Sequence, residues 1–165
     1  MAPLTQTESC RASIEGSLAL PASIICSTSE ETVCLGGKIA LFLKKGSIVA
    51  LKGPLGAGKT CITKGIAAAL GVKETVTSPS YTIISEYEGI LQGEFVRIFH
   101  IDAYRLAGDD DFSSLGGEEI VFGDGISIIE WCDRIPDFIH GALRVDIQMM
   151  DDEKRQFHIY RENEK

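Results

Sequence analysis

The sequence has no apolar run that approaches the roughly 20 residues of a membrane-spanning helix, so we expect no membrane span. It also has no C-x-x-C pair, and its five scattered cysteines and three histidines lack metal-ligand spacing. A zinc site and a disulfide framework are therefore disfavoured. Because the first 20 residues contain no unbroken apolar core, we expect no signal peptide. Together these absences predict a protein of the reducing cytoplasm.

Basic residues are few: the chain carries 16 Lys and Arg against 24 Asp and Glu, which gives a net charge of −8. Proteins bind the phosphate backbone of nucleic acids mainly through clustered Lys and Arg. We therefore expect that the chain does not bind nucleic acid tightly by itself, and that a basic partner carries any nucleic acid involved. Solubility explains the acidity more simply than an acidic docking face does.

The length of 165 residues corresponds to about one domain, and a hydrophobic content of 44% is enough to form a core. Residues 1–21 are rich in Ser, Thr and small side chains and show no strong periodicity. We predict that they form a poorly ordered lead-in and that residues 22–165 form a single domain.

The pattern of apolar residues predicts an α/β domain built on a mixed sheet. Thr28 and Glu31 have capping-box spacing, so the first helix is expected to run from there to about residues 44–46. A second helix is expected over 61–70, and a short one near 113–120 inside an irregular connection over 107–125. Hairpin turns are expected at 89–94 and 151–153. Strands are predicted over 23–26, 48–51, 82–87, 95–101, 126–130, 143–149 and 156–161.

Residues 53–60 read Gly-Pro-Leu-Gly-Ala-Gly-Lys-Thr, which fits the phosphate-binding pattern G-x-x-x-x-G-K-[ST] at every fixed position. A predicted strand precedes this loop and a predicted helix follows it, as its chemistry requires. Backbone N–H groups of such a loop cradle phosphate oxygens, Lys59 reaches the β- and γ-phosphates, and the Thr60 hydroxyl holds Mg²⁺. The motif predicts a P-loop nucleotide-binding fold: a mixed, mainly parallel sheet with antiparallel strands and flanking helices.

Two acids follow apolar runs that are predicted to be strands. Asp102 ends the run at 95–101, and Glu130 ends the run at 126–129. Ligands of parallel α/β sheets bind at the carboxyl ends of the strands, so either acid is placed to face Mg²⁺ or to orient water. An ordinary solvated or capping carboxylate is the alternative for each acid alone.

Two neighbouring features leave their roles open. Trp131, the only tryptophan, directly follows Glu130, where it either walls the site, docks a partner or packs in the core. The polar turn Ser78-Pro79-Ser80 precedes Tyr81 and either senses the γ-phosphate or is a plain turn.

Several stretches of the chain together resemble the TsaE family, the small ATPases of bacterial threonylcarbamoyl-adenosine tRNA modification. The resemblance covers roughly residues 29–161. It rests on S-E-E-T at 29–32, the loop at 53–60, S-P-S-Y-T at 78–82, H-I-D-A-Y-R-L at 100–106 and I-E-W at 129–131. The chain departs from the family pattern at Pro54, where an acidic residue is usual, and at Cys61, where Thr is frequent.

This resemblance implies an ATPase that uses ATP and Mg²⁺ and works with two protein partners of the TsaB and TsaD type. Those partners carry the carbamoyl-transfer chemistry and the tRNA, which the chain itself would meet only indirectly. It implies catalytic roles for Lys59, Asp102 and Glu130, with Mg²⁺ held by Thr60 and Glu130. The residues expected to contact nucleotide are Ser29, Gly53, Leu55, Gly56, Ala57, Gly58, Lys59, Thr60, Trp131 and Arg155.

Two other functions share these features. A small-molecule or nucleoside kinase has the same loop and size, but it needs an arginine-bearing lid and an acceptor pocket. A non-hydrolysing assembly module would bind ATP only to change shape, which the two acids argue against. A GTPase is disfavoured because no N-K-x-D motif is present.

Overall fold

A seven-stranded mixed sheet forms the centre of the computed structural model, which describes residues 18–162. Its strands are β1 (Ala22–Cys26), β2 (Ile48–Lys52), β3 (Ile84–Leu91), β4 (Glu94–Asp102), β5 (Ile126–Glu130), β6 (Leu143–Met149) and β7 (Arg155–Arg161). They lie in the order β1-β7-β6-β2-β5-β4-β3. β2 runs parallel to β5 and β6, and β4 runs parallel to β5. β1, β7 and β6 pair antiparallel at one side, and β3 pairs antiparallel with β4 at the other. The predicted α/β mixed sheet is confirmed.

In the part of the chain that the structure describes, four α-helices cover the two faces of the sheet: α1 (Ser29–Ala40), α2 (Lys59–Ala69), α3 (Asp109–Ser114) and α4 (Gly117–Val121). Apolar side chains of α1 and α2 share one buried cluster with the strands. Side chains of α3 and α4 join a second cluster on the opposite face. Short 3-10 turns lie at Cys132–Arg134, Pro136–Phe138 and Asp151–Glu153. Of the predicted lead-in, residues 1–17 lie outside the described range, and Leu18 and Leu20 pack against the first cluster.

The start of α1 is as predicted, but its end is not. The Thr28 hydroxyl accepts a hydrogen bond from the Glu31 N–H at 3.1 Å and so caps the helix. The helix ends at Ala40 rather than at 44–46. From Leu41 onward the backbone N–H groups bond to carbonyls three residues back, which tightens the chain into a turn.

Two other boundaries differ from the prediction. The hairpin turn is not 89–94 but only Gln92 and Gly93, whose φ values of 52° and 85° are those of a two-residue type I′ loop. Gly89 lies within β3, where a Cβ would come 2.8 Å from the Leu70 carbonyl oxygen. The single short helix predicted at 113–120 is two helices, separated at Gly116 by a left-handed φ of 82°.

Two features test the predictions on membranes and cysteines. Within residues 18–162, no helix is long and apolar enough to span a membrane. Cys26, Cys61 and Cys132 are free thiols. Cys34 is disulfide-bonded, which departs from the reducing surroundings that the sequence favoured over a disulfide framework.

The helix α2, which follows the loop at 53–60, packs closely against α1 through two glycines. A Cβ on Gly65 would overlap the Val33 carbonyl oxygen and lie 2.9 Å from the Gly36 Cα. The two backbones therefore approach each other more closely than any side chain would allow. This contact fixes the position of α2 and of the loop at its start.

We predict that Gly65→Ala lowers the free energy of unfolding by about 3 kcal/mol, because the added methyl group has only backbone atoms to displace. The matched control is Gly37→Ala in α1, where a Cβ meets no atom nearer than the Gly65 carbonyl oxygen at 4.0 Å. That variant should be neutral or gain up to about 1 kcal/mol from helix propensity. Urea unfolding of both variants measures the difference, and equal midpoints would contradict the prediction.

Candidate functional site

The loop at 53–60 connects β2 to α2 in the arrangement that its sequence predicts. Gly58, with a φ of 101°, directly precedes the first residue of α2, and the Ala57 N–H closes the loop on the Pro54 carbonyl at 3.1 Å. This φ lies in the left-handed region that favours glycine. The carbonyl of Pro54 accepts this hydrogen bond, and proline itself contributes no N–H donor to the loop.

The Lys59 ammonium is held inside the loop. Its Nζ donates to the carbonyl oxygens of Gly53 and Pro54 at 2.7 and 2.8 Å and lies 4.0 Å from the ring centroid of Trp131. The residue is only 5% exposed. Burial lowers the pKa of this ammonium below its ordinary value, and the negative charges of Glu130 and Asp102 oppose that shift.

Glu130 lies at the carboxyl end of β5, next to the start of α2. Its Oε1 accepts a hydrogen bond from the Thr60 hydroxyl at 2.9 Å and contacts His100 Nε2 at 2.6 Å. The carboxylate is almost fully buried. The loop threonine and the strand-end acid, 70 residues apart in sequence, therefore form one oxygen-lined corner.

Asp102 lies beside Glu130 because β4 and β5 are parallel and place the two acids opposite each other. Its Oδ2 accepts from the hydroxyls of Ser78 and Ser80 at 3.1 and 3.4 Å, and its Oδ1 accepts from the Tyr104 N–H at 3.0 Å. Asp102 thus anchors the polar turn that precedes β3. That connection includes Ile83, whose φ of 67° is strained for a β-branched residue.

Trp131 forms one wall of the site. It has a left-handed φ of 56°, and its half-buried ring lies over the Lys59 ammonium and 4.8 Å from the ring of Tyr104. Of the three roles that the sequence left open, the geometry places the indole at the cavity wall.

Arg155, at the start of β7, reaches the loop from the far end of the chain. Its Nη2 and Nε donate to the Gly56 carbonyl at 3.0 and 3.3 Å. The sequence pattern alone gave no local signal for this contact, since 99 residues separate the two positions. Only the family resemblance pointed to an arginine here.

A cavity of about 520 Å³ joins these residues. Gly53 and Ala57, both expected to contact nucleotide, are not among its lining residues. The side chain of Ala57 is fully buried in the core below the cavity. Thr32 and Cys61 also line the cavity, although the sequence analysis gave neither of them a role in nucleotide binding. Thr32 lies in α1, and Cys61 lies in the first turn of α2. The full lining is Ser29, Thr32, Leu55, Gly56, Gly58, Lys59, Thr60, Cys61, Ser78, Ser80, Asp102, Tyr104, Arg105, Glu130, Trp131 and Arg155.

The donor set fits a Mg²⁺ ion that is shared with phosphate rather than a metal held by protein alone. In residues 18–162, no group of three or more His, Cys, Asp and Glu side chains is arranged to hold a metal ion. Mg²⁺ commonly takes one or two protein oxygens and completes its shell with water and substrate phosphates. Thr60 and Glu130 supply oxygens at adjacent positions for such a site.

Comparisons with known proteins agree with this geometry. A sequence model of the family described as "Threonylcarbamoyl adenosine biosynthesis protein TsaE" matches residues 26–158. The crystal structure of YdiB from Bacillus subtilis superposes with a TM-score of 0.64 at 31% identity, covering 84% of this chain and 83% of that one.

Three relatives named tRNA threonylcarbamoyladenosine biosynthesis protein TsaE are similar in sequence. The protein from Treponema pallidum is 41% identical over 66% of this chain and 76% of its own length. The protein from Bacillus subtilis is 37% identical over 77% of each chain. The protein from Aquifex aeolicus is 36% identical over 84% of this chain and 95% of its own length. With the family model spanning most of the domain as well, this chain belongs to the TsaE family.

Proposed function

We propose that the chain binds and hydrolyses ATP with Mg²⁺, as a component of the machinery that makes N6-threonylcarbamoyladenosine at position 37 of tRNA. The observation that carries this proposal is the convergence of Lys59, Thr60, Asp102 and Glu130 on one cavity beside the loop. Its relatives, named for threonylcarbamoyladenosine biosynthesis, supply the pathway.

The loop and its lysine would bind the phosphates. Lys59 is bonded to two loop carbonyls, and its stem lets the ammonium turn from them toward a phosphate oxygen. Its buried position strengthens that interaction, because charge pairs attract more strongly where water is excluded. Phosphoryl transfer depends mainly on such positioning and on charge neutralisation.

The two acids would divide the remaining work. Thr60 and Glu130 would hold Mg²⁺, which when bound neutralises charge on the transferring phosphate. Asp102 holds Ser78 and Ser80 at the cavity wall, so it would keep this polar turn against the phosphate and orient water. Arg155 would hold the loop in its phosphate-binding shape through the Gly56 carbonyl.

The alternative function, a small-molecule or nucleoside kinase, would need an acceptor pocket close to the loop. A second cavity, of about 300 Å³, is lined by Phe95, Val96 and Arg97 at the amino end of β4. The acids that face the loop lie at the carboxyl ends of β4 and β5. A molecule bound in the second cavity would therefore lie at the opposite end of the sheet from Lys59.

The partners we propose are the two subunits of the bacterial threonylcarbamoyl transferase complex, of the TsaB and TsaD type. ATP turnover by this chain would cycle that complex in the cytoplasm, with tRNA held by the partners. The net charge of −8 supports this division, because too few basic side chains are available to neutralise several phosphates.

We predict that Lys59→Ala lowers ATP turnover on the order of 10²-fold or more, because a clamp on the transferring phosphate supplies several kcal/mol. The control is Lys64→Ala, which removes an exposed lysine from the same helix and should leave turnover unchanged. Phosphate release with saturating MgATP, with and without the partners, measures both. Near-normal turnover by Lys59→Ala would overturn the site assignment.

Binding of Mg²⁺–nucleotide should change the fluorescence of Trp131, the only tryptophan in the chain. The ring touches the Lys59 ammonium. If the lysine turns toward a phosphate, the positive charge next to the indole moves away and the electrostatic environment of the indole changes. Titration of the emission spectrum against calorimetric binding measures this. An unchanged spectrum at concentrations where heat shows saturation would contradict the proposed movement.

The purified chain should associate with the TsaB- and TsaD-type partners only when ATP is present, and it should not bind tRNA tightly by itself at physiological salt. Size-exclusion chromatography of the chain with the partners, with and without ATP, measures the first expectation. Titration of labelled tRNA measures the second. Tight tRNA binding by the isolated chain, or no partner association in either nucleotide state, would overturn the proposal.

A further inference from the structure

His100 is a fully buried histidine near the carboxyl end of β4, next to the edge strand β3, and the proposed function gives it no role. It lies on β4 two residues before Asp102, on the sheet face that packs beneath α1 and α2. Its exposed fraction is 0%. Its Nε2 lies 2.6 Å from Glu130 Oε1, and its Nδ1 has no hydrogen-bond partner within residues 18–162.

The imidazole is therefore placed for one contact. A carboxylate only accepts hydrogen bonds, so the hydrogen lies on His100 Nε2, which donates a hydrogen bond to Glu130 Oε1. An apolar side chain would fill this position in the core without the cost of burying a polar ring and leaving Nδ1 unpaired. The contact with Glu130 is the feature that an apolar residue could not reproduce.

The two donors act on the same oxygen of Glu130. Thr60 and His100 both reach Oε1, and no donor in the described part of the chain reaches Oε2. Two bonds to one oxygen fix the direction of the carboxylate. Because Thr60 would itself turn to a metal ion, His100 is the donor that would remain on Glu130 when the site is occupied.

We propose that His100 is a positioning residue that holds the Glu130 carboxylate in a fixed orientation toward the cavity, so that the metal-binding oxygen is in place before Mg²⁺ arrives. This inference rests on the proposed function, in which Glu130 binds the metal. Hydrogen-bonded partners of metal-binding side chains typically change metal affinity by about 10–100-fold when they are removed.

Two amide substitutions separate positioning from packing. His100→Gln carries an N–H donor at about the reach of Nε2, whereas His100→Asn is polar and planar but too short to reach Glu130. Binding of Mn²⁺, in place of Mg²⁺, is measured by electron paramagnetic resonance with a non-hydrolysable ATP analogue. Nucleotide affinity in EDTA and melting temperature are measured on the same proteins.

We expect His100→Asn to weaken Mn²⁺ binding about 10-fold or more and to leave metal-free nucleotide affinity within about twofold, with His100→Gln close to wild type. Equal Mn²⁺ affinities for wild type and His100→Asn would overturn the inference. So would losses of affinity in His100→Gln as large as those in His100→Asn, because a purely structural role makes no distinction of reach. Should His100→Asn fail to fold, His100→Leu replaces it with the same expectation.

Glu130→Gln distinguishes failure of this inference from failure of the proposed function. We expect this variant to lose most of its Mn²⁺ affinity, since it removes the charge that the metal needs. A wild-type Mn²⁺ affinity in Glu130→Gln would overturn both the metal role and the positioning role. A loss in Glu130→Gln without any loss in His100→Asn would overturn the positioning role alone.

Discussion

The parallel pairing of β2, β5 and β4 is the constraint on which the site depends. It aligns Leu51 of β2 and Asp102 of β4 with Glu130 of β5, which lies between them. The loop and both acids therefore meet at the carboxyl ends of these three strands. Side chains alternate between the faces of a strand, and a slip of one residue in β5 would turn Glu130 to the opposite face. Glu130 would then lose both Thr60 and His100, and the cavity would lose its oxygen-lined corner.

Much of this arrangement could be predicted because its signals are local. The loop at 53–60 is marked by the fixed residues of its motif, and each of the two acids directly follows an apolar run. The predictions failed where one local pattern serves two purposes. Gly89 looks like a turn residue, but it lies within β3. A glycine is needed there because the Leu70 carbonyl leaves no room for a Cβ. Leu41 continues the apolar pattern of α1, although the hydrogen bonds there have already tightened into a turn.

The residues that could not be predicted are those that distant packing brings to the cavity. Thr32 belongs to a stretch of family resemblance but carries no chemical signal of its own, and it lines the site because α1 lies against α2 through two glycines. The contact of His100 with Glu130 joins two residues that are 30 positions apart in the sequence and lie on the neighbouring strands β4 and β5. A family resemblance marked His100 as part of a motif, but only the sheet register shows which group it serves.

The bond between Arg155 and the Gly56 carbonyl has a consequence for how the protein is made. A ribosome completes the loop at 53–60 long before it adds the arginine that binds it, because Arg155 comes 99 positions after Gly56. The last strand of the sheet also supplies the pairing surface for the first, β1. A truncated product that stops before β7 would carry the whole glycine-rich motif and yet leave its loop untied. Newly made chains therefore acquire the finished pocket only after β7 has been translated.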